Sequence, residues 1–312
     1  MLNNRLLIVN YHYIRDTSYQ YPGIHPLTLK AFEEQVLYLK SLLTPATPDE
    51  ILNFTRGRFD FQSPAVFLTF DDGLRDHLVV AEILNALGMH AAFFVSSQPL
   101  LEERAICVHK VHWLRAHTDP RAFRTEFIEY LMRIGEAESL TSEQRRAAKE
   151  TYIYDTQQDA ELKYLINFQL KHELVDVIAS QMLESRGINE KDFCNELYIT
   201  SEDDLNWLVD AGHVIGCHGH RHRPFSKMTY NEAAEDIEVS CTELAKYIGR
   251  NPDWVSYPYG SDWAIPAEPE LFCQRHGFSI GLTLKRDWNF EGQSAFAMNR
   301  INTNEVRLFV EG

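Results

Sequence analysis

Two short stretches, AVFLTF (Ala65–Phe70) and AAFFV (Ala91–Val95), read as buried strands, and the helical pattern between them, His77–Leu87, ends at Gly88. Strand, helix, strand in that order is a β-α-β unit, which commits the two strands to run parallel. The alternation recurs along both flanks. Arg5–Asn10 reads as a buried strand and Leu29–Leu42 as an amphipathic helix. Later come a helix at Glu202–Asp210 with Ser201 as its N-cap, a strand at His213–Cys217, a helix at Asn231–Ile248, and short strands at Trp254–Tyr257 and Ser279–Thr283. Strands joined repeatedly by helices predict an α/β fold, a parallel sheet covered by helices and either open or closed into a barrel.

Residues 111–195 break this pattern, with charge and helical periodicity but almost no strand signal. Leu162, Leu165, Ile166, Gln169 and Leu170 fall at helical spacing, and the stripe continues through Leu174 and Ile178. We read 111–195 as a helical insertion or small subdomain within a single 1–312 domain. It is either a structural cap or a lid or dimer contact, so a homo-oligomer is among the expectations.

A formal net charge of −15 over 312 residues argues against nucleic acid or an anionic membrane as the main partner. The apolar run at the start, Leu6–Val9, is too brief for a signal-peptide core, and no other run approaches a membrane span. The five cysteines, Cys107, Cys194, Cys217, Cys241 and Cys273, are odd in number, scattered, and without a CxxC pairing. That usage predicts a reduced, cytoplasmic protein with no disulfide framework.

Chemistry gathers where strands end. In LTFDDG, Asp71 and Asp72 follow a strand at the point where α/β proteins build their sites. Successive strand residues face opposite ways, so the two carboxylates aim differently, and Gly73 permits a sharp turn. Alternatively, one of them caps a helix beginning near Leu74. GHVIGCHGHRHRPF sets His218, His220 and His222 on alternate positions after another strand, in a loop marked by Gly219 and Pro224. Two imidazoles four residues apart on a turning chain converge on one cation, and His-His-carboxylate is a catalytic zinc set; a His-rich polar surface loop is the other reading.

These residues resemble the polysaccharide deacetylases with NodB homology, metal-dependent sugar N- and O-deacetylases. Their Thr-Phe-Asp-Asp-Gly motif matches Thr69–Gly73 without a change, and their His-(Ser/Thr)-x-x-His motif matches His218–His222 with Gly219 in the hydroxyl position. The Arg-x-Pro-Tyr motif is matched in part by SYPYG, where Pro258, Tyr259 and Gly260 fit but Ser256 replaces the arginine. The fourth motif shows only as Asp287-Trp288, and the C-terminal Leu-x-His has no counterpart. The resemblance covers 5–97 and 201–306 and implies a distorted (β/α) barrel of about seven strands.

It also implies roles. Asp72, His218 and His222 would hold the metal, Zn²⁺ first, with Co²⁺ or Ni²⁺ as alternatives. Asp71 would be the catalytic base that deprotonates water, and the backbone N–H of Tyr259 would hold the oxyanion, with Pro258 fixing that peptide. Two departures need replacements. His12, at the end of the first strand, is assigned the general-acid role of the missing Leu-x-His histidine. Arg300 is assigned to the substrate site, with the charge that orients the base. His220 is expected to point away from the metal and His77 to pack on its helix. Trp263 and Trp288, together with Tyr259, are candidates for stacking a sugar ring or for ordinary packing.

The predicted function is removal of an acyl group, N-acetyl first, from a carbohydrate, with a nucleotide- or lipid-linked precursor of a surface glycan as the expected substrate. A deformylase or other small-amide hydrolase on the same scaffold is an alternative. So is a catalytically impaired carbohydrate-binding or scaffold member, suggested by the altered third and missing fifth motifs.

Overall fold

The computed structural model describes residues 4–17, 19–21, 23–136, 140–153 and 155–311. The chain divides into two compact units, Met1–Thr17 with Pro26–Arg104 and Cys194–Gly312, and Ser18–His25 with Ala105–Phe193.

The first unit is built on one sheet of nine strands: β1 (Arg5–Tyr11), β2 (Thr44–Pro45), β3 (Ala65–Phe70), β4 (Ala91–Val95), β5 (Val214–Cys217), β6 (Trp254–Ser256), β7 (Ile280–Leu282), β8 (Asn289–Phe290) and β9 (Ile301–Asn302). Their order is β7-β6-β5-β4-β3-β1-β8, with β2 added to β3 and β9 to β1. All pairings are parallel except β1 with β8. Between β7 and β1 the ring is carried by residues 298–302, where Met298 bridges to Leu282 and β9 pairs with β1. Six parallel strands and this irregular segment form the staves of a distorted (β/α) barrel.

Strand periodicity sorts the core into two. Leu7, Val9 and Tyr11 of β1 join Val66, Leu68 and Phe70 of β3 in the layer under the helices. There Phe70 stacks between Tyr11 and Phe93, with ring centroids 5.2 and 4.9 Å away. Leu6 and Ile8 instead join Ala65, Phe67, Ala92, Phe94, Trp254, Ile280, Leu282 and Met298, the apolar filling of the barrel. Two residues further along each strand, the same inward rows become polar: Asn10, Thr69 then Asp71, Ser256 and Arg300, all buried. The apolar interior is thus capped, at the C-terminal ends of the strands, by a polar layer that must satisfy itself.

The helices follow their sequence signals. Leu29–Leu42 and Glu202–Asp210 form as expected, the latter capped by Ser201 Oγ. Tyr230–Ile248 opens with a capping box between Thr229 and Glu232. The aspartate-capping alternative for LTFDDG fails. The helix there runs Asp76–Ala86 from Arg75 with no side-chain cap, because Leu74 is taken up by an antiparallel bridge to Tyr198.

Among its described residues the second unit holds helices and no strand, with helices at Cys107–His117, Pro120–Arg133, Ser142–Thr151, Gln157–Tyr164 and His172–Glu184. It begins earlier than the 111–195 expected, at Ala105, and also takes in Ser18–His25. Residues 137–139 and Tyr154 of the expected insertion lie outside the described residues. Its buried Lys110 is satisfied by Asp176 at 2.8 Å, Ser180 at 3.0 Å and Glu190 at 2.5 Å.

Candidate active site

The loop after β3 turns at Asp72, whose φ of 78° lies in the left-handed region, and continues through Gly73 at φ 65°. Asp71 keeps the strand's direction, its N–H donating to the Tyr11 carbonyl at 3.0 Å, so its side chain joins the inward polar layer. The turn swings the Asp72 carboxylate toward the loop after β5. There Asp72 Oδ1 lies 3.3 Å from both His218 Nε2 and His222 Nε2, and the donor atoms of all three residues fall within 4.8 Å of one another. His222, like Asp72, has a left-handed backbone, with φ 54°.

This donor set fits a divalent ion. Zinc with bonds of ~2.0–2.1 Å spaces adjacent tetrahedral ligands at roughly 3.4 Å, which is the spacing the carboxylate keeps from each imidazole. His218 Nδ1 sits 2.7 Å from the Ser256 carbonyl and must donate to it, which leaves Nε2 as the lone-pair donor aimed inward. Burial opposes a charge on His218, yet Asp71 and Asp72 outweigh it and raise its pKa. The centre therefore attracts positive charge.

Asp71 lies outside this donor set; its Oδ2 is 4.0 Å from His218 Nε2. Arg300 grips it with a two-pronged fork, Nη1 to Oδ1 and Nη2 to Oδ2, each 2.9 Å. The guanidinium also donates to Ser256 Oγ at 2.8 Å, Asn10 Oδ1 at 3.1 Å, Thr69 Oγ1 at 3.2 Å and the Thr283 carbonyl at 2.9 Å. Ser256 Oγ in turn donates to Asp71 Oδ2 at 3.2 Å. Burial alone would push the Asp71 carboxyl up, but Arg300 and His218 bring it down to about 2. Arg300 is fully buried, so its assignment as a substrate-contacting residue is corrected. It stands behind Asp71.

His12 lies at the mouth, 40% exposed, with Nε2 3.9 Å from Asp72 Oδ2. Its carbonyl accepts the Nε2–H of His77, which is buried on its helix and outside the metal set. His220 points away from the Asp72–His218–His222 donor set, with Nδ1 2.9 Å from Ser97 Oγ and Nε2 3.0 Å from Glu102 Oε1. Tyr259 has φ 64° and its ring centroid lies 5.0 Å from that of His222, with Trp263 another 5.5 Å beyond. Trp288 is a correction. It is buried beneath the Arg5 guanidinium, 4.0 Å from its ring centre, at the start of β1 and so at the other end of the strand from His12.

Ser256, Asn10 and Thr69 were not expected in the site. Their signal was a polar residue on an otherwise apolar inward row. Asp236 was also missed, although a carboxylate among Ala233, Ile237, Ser240 and Leu244 on the buried face of Tyr230–Ile248 marks it.

His77 makes the acid side of stability measurable. Burial lowers its pKa to about 4. Its folded value lies below the unfolded one, near 6.5, so the unfolded chain binds the proton first as pH falls. Stability is complete above pH ~6.5 and is lost down to about 4, by about 3 kcal/mol from this group. His77→Gln keeps a donor for the His12 carbonyl, and denaturant titrations of the metal-free protein at pH 7 and 4.5 should show a smaller loss in the variant.

Residues 175–270 match the family model described as polysaccharide deacetylase, a span that includes His218, His222 and the Pro258–Gly260 turn. No curated protein matches the sequence significantly. Among solved structures, IcaB from Ammonifex degensii is similar over 97% of this chain and 94% of its own, with 15% identity and a TM-score of 0.59. Streptococcus pyogenes deacetylase PplD, in complex with acetate, is similar over 96% and 92%, with 14% identity and a TM-score of 0.55. The BpsB deacetylase domain from Bordetella bronchiseptica is similar over 96% of each chain, with 12% identity and a TM-score of 0.53. At such identities the likeness is one of fold.

Proposed function

We infer that this relative of the polysaccharide deacetylases is a divalent-metal-dependent carbohydrate deacetylase, removing an acyl group, N-acetyl first, from a sugar. One observation carries the reading: a His-His-Asp donor set lies beside a second carboxylate that Arg300 keeps ionised. A binding module has no use for the second carboxylate. A divalent ion held by Asp72, His218 and His222 would polarise the scissile carbonyl and lower the pKa of water from ~15.7 to roughly 7.

The rest is done by the chain. Asp71, fixed by the guanidinium fork, accepts a proton from the attacking water. Tyr259 offers its backbone N–H to the negative charge that develops on the acyl oxygen, and Trp263 offers a ring face beside it. His12, half exposed at the mouth, gives a proton to the departing amine, so that amide and water become amine and carboxylate. His12→Ala should lower turnover by about 10²-fold while leaving metal content unchanged; a loss within threefold removes the assignment.

The overall reading is tested by loading the purified protein with Zn²⁺ or Co²⁺ and following acetate release from a panel of N-acetyl sugars. Asp71-dependent acetate supports it. Formate from a formamide, with no acetate from any sugar, overturns the acyl class proposed. A cytoplasmic setting with a nucleotide- or lipid-linked substrate is the finer part of the proposal. It rests on the scattered, CxxC-free cysteine usage and is checked by cell fractionation.

A further inference from the structure

The turn between His218 and His222 is tied down at nearly every backbone polar group. His218 N–H donates to the Val95 carbonyl at 3.1 Å, and its own carbonyl accepts from Ser96 Oγ at 3.1 Å. The Gly219 carbonyl accepts from Ser97 N–H at 3.3 Å and Ser240 Oγ at 3.1 Å, and the His220 carbonyl accepts from Gln98 N–H at 3.0 Å. Two further N–H groups, those of His220 and Arg221, reach one carboxylate: Asp236 Oδ2 at 2.7 Å and Oδ1 at 3.2 Å. Asp236 is 8% exposed and comes from the helix Tyr230–Ile248, far along the chain from Asp72.

Gly219 belongs to the same device. A Cβ there would lie 2.8 Å from Asp236 Oδ2, and φ is 71°. The space a side chain at 219 would fill is the space the carboxylate occupies.

We propose that Asp236 is the positioning residue of the metal loop, holding the His220–Arg221 peptides so that His218 and His222 present their Nε2 atoms to one point, and that Gly219 is glycine to admit it. The inference rests on the metal reading above. Asp236 touches no ligand side chain and acts through the backbone. An acidic group so placed orders the loop before the ion arrives, so the ordering cost is met in folding rather than in binding. Outer partners of this kind are worth 10–100-fold in metal affinity.

The test is titration of the metal-free protein with Co²⁺ alone, followed by its visible absorption, with amide exchange at His220 and Arg221 as a second readout. Asp236→Ala is expected to weaken Co²⁺ binding 10–100-fold and to unprotect both amides. Asp236→Asn, which keeps one acceptor, should fall between and serves if the alanine variant does not fold. Gly219→Ala should weaken binding more in the wild-type background than in Asp236→Ala, because the clash leaves with the carboxylate. Unchanged affinity in the Asp236 variants, with only a lower denaturation midpoint, overturns the inference and leaves the metal reading standing. Failure of the wild-type protein to bind Co²⁺ overturns that reading itself, and the inference with it.

Discussion

Asp71→Asn is expected to lower the rate of acyl release by about 10³-fold while one divalent ion per chain remains bound. The two halves of that result come from separate parts of the geometry. The carboxylate lies outside the donor set, which is formed by Asp72 with His218 and His222, so removing its charge leaves the ligands in place. Its job requires a negative charge, and with a pKa of about 2 that charge is present throughout the neutral range. Asparagine fills the same volume but cannot accept the proton. Metal content by elemental analysis, read beside acetate release, checks both halves. A variant within tenfold of wild type sinks the base assignment, and a variant that also loses its metal shows that the two carboxylates do not divide their work.

The largest effect on stability is expected at Arg300. Replacing it with methionine leaves the Asp71 carboxylate buried without its guanidinium, a loss that costs about 3–5 kcal/mol when one partner of a buried pair is removed. Four further hydrogen bonds, to Ser256, Asn10, Thr69 and the Thr283 carbonyl, are lost with it. Arg300→Lys should recover the charge but not the fork, and so fall between. Because Ser256 occupies the arginine position of the SYPYG segment and touches both Asp71 and Arg300, the charge can be moved back. The pair Ser256→Arg with Arg300→Ser roughly conserves volume and should be more stable than Arg300→Ser alone. Urea denaturation of the metal-free variants decides; equal midpoints for wild type and Arg300→Met end the argument.

The six longer strands and four of the helices that cover them were legible because their apolar runs stop at residues that cannot continue them, as Phe70 stops at Asp-Asp-Gly and Leu87 at Gly88. The two-residue strands β2, β8 and β9 and short helices such as Pro48–Thr55 and Pro269–His276 were not. The clustering of Asp72, His218 and His222 was legible for a related reason, since Asp72 and His218 follow such runs closely and His222 lies on the same loop as His218. Trp288 misled because it follows a strand-like segment. The chain then reverses, and β8 runs antiparallel to β1, which carries residue 288 to the wrong end of the barrel. The bidentate grip of Arg300 was only partly foreseeable. It depends on residues 298–302 closing the ring through a bridge and a two-residue strand, pairings too short to leave a periodic trace. Asp236 was visible as a carboxylate on the apolar stripe of its helix, but the stripe alone does not say which loop that carboxylate meets.

Of the four non-glycine residues with left-handed backbone among those described, Asp72, His222 and Tyr259 all border the active site. Each such residue costs on the order of 1–3 kcal/mol. Glycine at any of them would relieve that cost and should raise the melting temperature of the metal-free protein. It would also delete a donor or an aromatic wall. A laboratory evolving this protein by heat challenge alone would therefore enrich inert survivors at these three codons, and only a screen that demands turnover would keep them out.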